Sequence, residues 1–143
     1  MKNKSERLSL EHFIKRAKEI ESKREKLFLI DTGDFGELEF KRPTTKEMLN
    51  YIDGTSNSVQ TDGEDNVISQ DTEGILDASK ELVYQCCSYM QSQDLRESFE
   101  IENPLDTPVK IFGINKTNEI ARKIMEKVNG NNTIKKATEE IKN

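Results

Sequence analysis

The chain has no tryptophan, a single histidine, two cysteines and three prolines among its 143 residues. Each scarcity removes a class of explanation. With His12 as the only histidine, His-rich metal sites are excluded, and a Cys–His pair is the sole nucleophile-and-base arrangement left to consider. The two cysteines, Cys86 and Cys87, are adjacent. Neighbouring side chains on a helix diverge by about 100°, so a disulfide between them would be strained. They read as reduced thiols, at least one of them buried as a small apolar residue. Apolar residues make up only 33% of the chain against 34% charged, so the core must be small for the length and some segments must stay solvated or cover a partner. No run approaches the roughly 20 apolar residues of a membrane-spanning helix, and the opening residues 1–13 lack the apolar centre of a signal peptide. A cytoplasmic protein with no membrane partner is the expectation. The net charge of -5 gives no general attraction for phosphate backbones, so no nucleic-acid partner is expected.

What is present is mostly helical periodicity. Leu10, Phe13, Ile14, Ala17 and Ile20 recur at helical spacing behind the N-cap residue Ser9, predicting a helix over 10–24. Its other face carries Glu11, Lys15, Arg16, Lys18, Glu19, Lys23 and Arg24, read as a solvated face. Phe28 and Ile30, then Phe35, Leu38 and Phe40, flank Gly33 and Gly36 and predict a β-hairpin. Pro43 stops the second strand, and Thr44 with Glu47 forms a capping box for a short helix with Met48, Leu49 and Ile52 inward. Residues 54–70, rich in Gly, Ser, Asn and Asp, read as a flexible acidic and polar loop. The longest helix is expected from Thr72 to near Gln91, with Ile75, Ser79, Leu82, Val83, Cys86 and Met90 buried. A short helix from Asp94 turns Leu95 and Phe99 inward and breaks at Asn103-Pro104. Pro108 fits the first turn of another short piece, and a closing helix runs from Lys116 to Asn129 with Ile120, Ala121, Ile124, Met125 and Val128 on one face, stopped by Gly130. The predicted fold is mainly α with a small N-terminal β-hairpin, an α+β class: one compact helical domain over 1–130 and a frayed polar tail over 131–143.

Motifs that could carry chemistry fail on inspection. A dyad of His12 with Cys86 or Cys87 would need an oxyanion site and a cleft that no other residues announce. Asp62, Glu64, Asn66 and Glu73 fall at positions one, three, five and twelve of a calcium loop, but Val67 stands where the loop needs Gly and Ser69 where it needs an apolar residue. Asp34-Phe35-Gly36 spells a kinase magnesium tripeptide without the other kinase signatures, and reads as a hairpin turn. Carboxylates lack the apolar pocket that raises a pKa for general acid work. No catalytic, cofactor-binding or metal-binding residue is expected, and the chain is read as a non-enzyme.

The order of elements then points to a family. An N-terminal helix, a hairpin ending in Phe40-Lys41-Arg42-Pro43, a short capped helix, and a long helix containing Glu81-Leu82-Val83-Tyr84 resemble the XkdN-like tail assembly chaperones of contractile-tailed phages and related particles. Asp94-Leu95-Arg96-Glu97-Ser98-Phe99, Asn103-Pro104, Val109-Lys110-Ile111-Phe112 and the stretch from Asn118-Glu119-Ile120-Ala121 to Gly130 are similar to the elements that follow in that family. The resemblance implies binding of the long, helical tape measure protein, keeping it soluble in the host cytoplasm, and helping tail tube subunits polymerise around it, with several self-associating copies along one client. Client or self-contacts are then expected from Leu10, Phe13 and Ile20 of the first helix or Ile124 and Val128 of the closing one, the competing expectation being that these residues close the monomer's own core. The alternative from another class is a small cytosolic adaptor or regulatory module, modulated by a divalent cation through Asp62–Glu73.

Overall fold

The computed structural model describes residues 7–24, 26–61, 63 and 67–130. Along the chain run α1 (Leu10–Lys23), β1 (Leu27–Asp31), β2 (Glu37–Lys41), α2 (Thr45–Asn57), β3 (Val59–Thr61), β4 (Val67–Gln70), α3 (Thr72–Cys86), α4 (Gln93–Ser98), α5 (Thr107–Phe112) and α6 (Ile114–Asn129). Turns of 3-10 helix occupy Ser88–Gln91 and Pro104–Asp106. The fold is the mainly helical α+β arrangement that the periodicities predict.

The first hairpin forms where alternation is strongest. Phe28 pairs with Phe40 and Ile30 with Leu38 across antiparallel β1 and β2, and the two-residue period buries Phe28, Ile30 and Phe40 while Leu27 and Leu29 face outward. Thr32 closes the turn: its backbone N–H and its hydroxyl each donate to the Gly36 carbonyl at 2.8 Å. Beyond Pro43 the capping box is complete, with the Glu47 N–H donating to Thr44 Oγ1 at 3.1 Å and the Thr44 N–H donating to Glu47 Oε1 at 2.8 Å.

Two expectations for the following stretch are corrected. In α2 the side chains that reach the core are Met48 and Tyr51, whereas Leu49 and Ile52 are exposed, because the helix presents the 48/51 edge to its neighbour. The helix also continues through Gly54 to Asn57. At Gly54 an added Cβ would sit 2.8 Å from the Ala78 Cβ, so the missing side chain lets α2 approach α3 closely. The remainder of the segment read as a loop over 54–70 holds a second antiparallel hairpin, β3 with β4, irregular between Gln60 and Thr61. The Asp71 N–H donates to the Ser58 carbonyl at 2.6 Å and ties its base. Strands of three and four residues are held by backbone ladders, which leave too short a side-chain pattern to read.

α3 starts at the Asp71 cap, whose carboxylate accepts the Gly74 N–H at 3.1 Å, and ends at Cys86, short of the expected Gln91. The Gln91 side chain instead donates back to the Tyr84 carbonyl at 2.8 Å, satisfying a carbonyl that the ended helix would leave orphaned. In α4, Leu95 packs on the core, but Phe99 is exposed, contrary to expectation. Pro108 occupies the first turn foreseen for it, and at Pro104, expected as a break, the chain also starts the 3-10 turn Pro104–Asp106. α5 and α6 are separated by Gly113 at φ 86°, ψ 170°, a region essentially restricted to glycine. This break starts α6 at Ile114, earlier than Lys116, and the Thr117 hydroxyl donates to the Gly113 carbonyl at 2.7 Å. The tail over 131–143 lies outside the described residues.

The core joins Phe28, Ile30 and Phe40 of the hairpin to Leu82, Val83, Cys86 and Cys87 around the end of α3, Met90, and Ile120, Ala121, Ile124 and Met125 of α6. Gly54→Ala should cost about 1–3 kcal/mol, since the Ala78 Cβ cannot rotate away. Gly113→Ala should cost about 1–3 kcal/mol through its backbone conformation alone. Denaturant unfolding of both variants checks these values, with an exposed change such as Glu100→Gln as the neutral reference.

Candidate interaction surfaces

α1 is a well-formed helix by local criteria. The His12 N–H donates to Ser9 Oγ at 3.2 Å, Glu11 lies in the first turn and Lys23 in the last, and Arg24 pairs with Glu21 at 2.9 Å. Acid at the start and base at the end complement the helix dipole. Yet no residue of α1 is buried. Leu10 is 73% exposed, Phe13 58% and Ile20 49%, and Leu8 and Ile14 are exposed beside them. The stripe over Leu10, Phe13, Ala17 and Ile20, which in most surface helices faces a core, here faces solvent.

The closing helix behaves differently. Ile124 is 0% exposed and belongs to the core, so it has no surface to offer a partner, and Val128 is half-buried. Of the five residues expected to carry contacts, Leu10, Phe13 and Ile20 are bare and lie together on α1, while Ile124 and Val128 sit on α6 and face inward in whole or in part.

A second apolar surface was not singled out from the sequence. Phe35 in the hairpin turn, Leu38 of β2, Tyr89, Leu95 of α4, and Ile111 and Phe112 of α5 line an open groove of about 360 Å³. The Phe35 and Phe112 rings meet edge to face with centroids 5.6 Å apart. Phe35 and Tyr89 reach it from turns, where helical or strand periodicity gives no signal. The hint for Phe35 is a large aromatic between two glycines in a polar turn, whereas Tyr89 stands among the core residues Cys86, Cys87 and Met90 and gives none.

The titratable groups form no assembled chemistry among the described residues. His12 is exposed on α1, whereas Cys86 and Cys87 are buried and free. Burial first, with the Glu47 carboxylate adding to it, pushes the Cys86 thiol up to about 12. Burial likewise raises Cys87. Both are poor nucleophiles in this state. No group of three His, Cys, Asp or Glu residues among those described could hold a metal ion. Asp62, Glu64 and Asn66 of the calcium-loop pattern lie outside the described residues. Lys80 links α3 to the turn before α5, 3.1 Å from Asp106 and 3.4 Å from Asp77. Burial works against its charge, but the hydrogen bonds to Asp106 and Asp77 prevail and raise its pKa. No described helix is long and apolar enough to cross a membrane.

No family model, no curated protein and no solved structure matches this chain.

Phe13→Asp should leave stability within about 0.5 kcal/mol of the parent, as for other exposed positions, whereas Ile124→Ala should cost about 2–5 kcal/mol. Denaturant melts separate the two. Both thiols should resist a thiol reagent near neutral pH and react only as fast as the protein unfolds. Because the folded Cys86 pKa, about 12, lies above its ordinary 9.0, the fold favours the neutral thiol. That contribution to stability is intact below pH 9.0 and is lost progressively as pH rises toward about 12, which melts across alkaline pH would register.

Proposed function

We propose that the chain is a non-catalytic assembly chaperone of the phage-tail type, which covers the apolar stripes of the tape measure protein in the host cytoplasm and helps recruit tail tube subunits around it. The observation that carries this reading is α1: a capped amphipathic helix whose apolar stripe is bare along its whole length. A soluble monomer gains nothing by exposing Leu10, Phe13 and Ile20, and such patches mark surfaces that a partner covers. A long helical client has stripes of the same kind, and helix on helix buries both. The order of helix, hairpin, capped helix, long helix and Pro-interrupted closing helices adds support, because it is the order of elements in which the resemblance to tail assembly chaperones lies.

The size of the surface suits the role. One α1 stripe buries little area, so each contact is weak, while many copies on one long client hold it collectively. A coat of this kind can be displaced by tube subunits as they polymerise.

Co-expression with the tape measure protein, whose gene is expected shortly downstream, tests the proposal. The soluble fraction of the client should rise with the parent chain and fall back with the double change Phe13→Asp and Ile20→Asp. A client equally soluble with and without the chain would overturn it.

A further inference from the structure

The hairpin of β1 and β2 is a two-stranded sheet that covers the core with one face only. Phe28, Ile30 and Phe40 point inward, and the other face carries Leu27, Leu29 and Asp31 of β1 opposite Lys41, Glu39 and Glu37 of β2. Leu27 is 56% and Leu29 51% exposed, so another apolar surface lies bare immediately after α1 in the chain. Beside it a pocket of about 200 Å³ opens between Leu27, Glu39, Lys41, Ser88 and Gln91.

Residues 24–26 alone join α1 to β1. Arg24 is extended at φ -73°, ψ 121°, and from Lys26 onward the chain is anchored, the Arg42 N–H donating to the Lys26 carbonyl at 2.7 Å. A connection this short suits a helix that packs back on the strand following it. The dimensions agree, since the fourteen residues of α1 span about 21 Å and five residues of strand about 17 Å. With the helix antiparallel to β1, Ile20 and Glu21 lie over Leu27 and Lys41, and Ala17 with its neighbours Arg16 and Lys18 lies over Leu29, Glu39 and Glu37. Glu21, which also pairs with Arg24 at 2.9 Å, thus meets a base, and Arg16 and Lys18 meet acids. Glu11 falls at the turn end, where Lys123 donates to the Asp31 carbonyl at 3.1 Å and Lys116 lies beside Gly33. By helical spacing His12, Lys15, Glu19 and Lys23 fall away from the sheet.

We infer that α1 closes on the outer face of its own hairpin, in an arrangement that alternates with the open one described above. Only two leucines receive the stripe, and closing orders the long side chains of Arg16 and Lys18, so closed and open copies coexist in comparable numbers. For that reason a change at an exposed α1 position keeps its small effect on denaturant melts. The inference goes beyond the function proposed above, because it concerns one chain alone and holds whatever the partner is. A closed α1 hides Leu10, Phe13 and Ile20, and a partner binds only the open fraction.

Disulfide trapping in the full chain tests it. Ala17→Cys with Leu29→Cys places two thiols within bridging reach in the closed arrangement, whereas Lys15→Cys with Leu29→Cys uses the same tether but the far side of the helix. All three positions are exposed, and circular dichroism confirms that each variant is folded. The native Cys86 and Cys87 are buried and stay in place, with peptide mapping to locate each bridge. Under mild oxidation the first pair should bridge within one chain several-fold faster than the second, at a rate independent of protein concentration. Adding Phe13→Asp should bring the first pair down to the rate of the second. Equal rates for the two pairs would sink the inference. So would bridges that form between chains and quicken with concentration, or a first pair indifferent to Phe13→Asp.

Discussion

The close approach of α2 and α3 at Gly54 and Ala78 is the constraint on which the remaining packing depends. A chain that is one-third apolar cannot surround a thick core, so its few large side chains must be brought together by backbones lying near one another. α3 packs against both α2 and α6. Ala78 and Ser79 keep one part of it thin, and Leu82, Val83 and Cys86 fill the space shared with α6 and the hairpin. A larger residue at 54 or 78 would lever α2 outward and uncover Tyr51 and Met48, which pack on that core.

The charged groups tie this small core at its margins rather than through it. Lys80 fastens α3 to the turn before α5, and Lys123 reaches the Asp31 carbonyl at 3.1 Å, holding α6 to the end of β1. These contacts lie at partly exposed positions, where ion pairs add little individually. Their value is in register: each links elements far apart in sequence, 26 positions between Lys80 and Asp106 and 92 between Asp31 and Lys123.

Features fixed by neighbouring residues were legible in the sequence. The Thr44–Glu47 box, the Ser9 cap, the break before Pro104, the Pro108 turn and the alternation of Phe28, Ile30 and Phe40 each depend on groups within a few positions, and each stands as expected. Features chosen by tertiary contact were not. Which edge of α2 turns inward depends on where α3 lies, so Tyr51 took the place expected of Leu49 and Ile52. The strands β3 and β4 are held by backbone bonds that side-chain patterns do not report. The candidate surface divides the same way. The stripe on α1 is plain in its spacing, but spacing cannot say whether a stripe meets its own core or another molecule, and the groove gathers residues from four separate segments.

The bareness of α1 also bears on heat. A fourteen-residue helix without tertiary support is marginal in water, and its cap and ion pairs supply only fractions of the stability it needs. Whatever covers Leu10, Phe13 and Ile20 therefore fixes the helix in the same event, and ordering coupled to association releases enthalpy at the expense of entropy. Apolar burial weakens on cooling while an unsupported helix frays on warming, so a contact made through this segment would hold best between the two extremes.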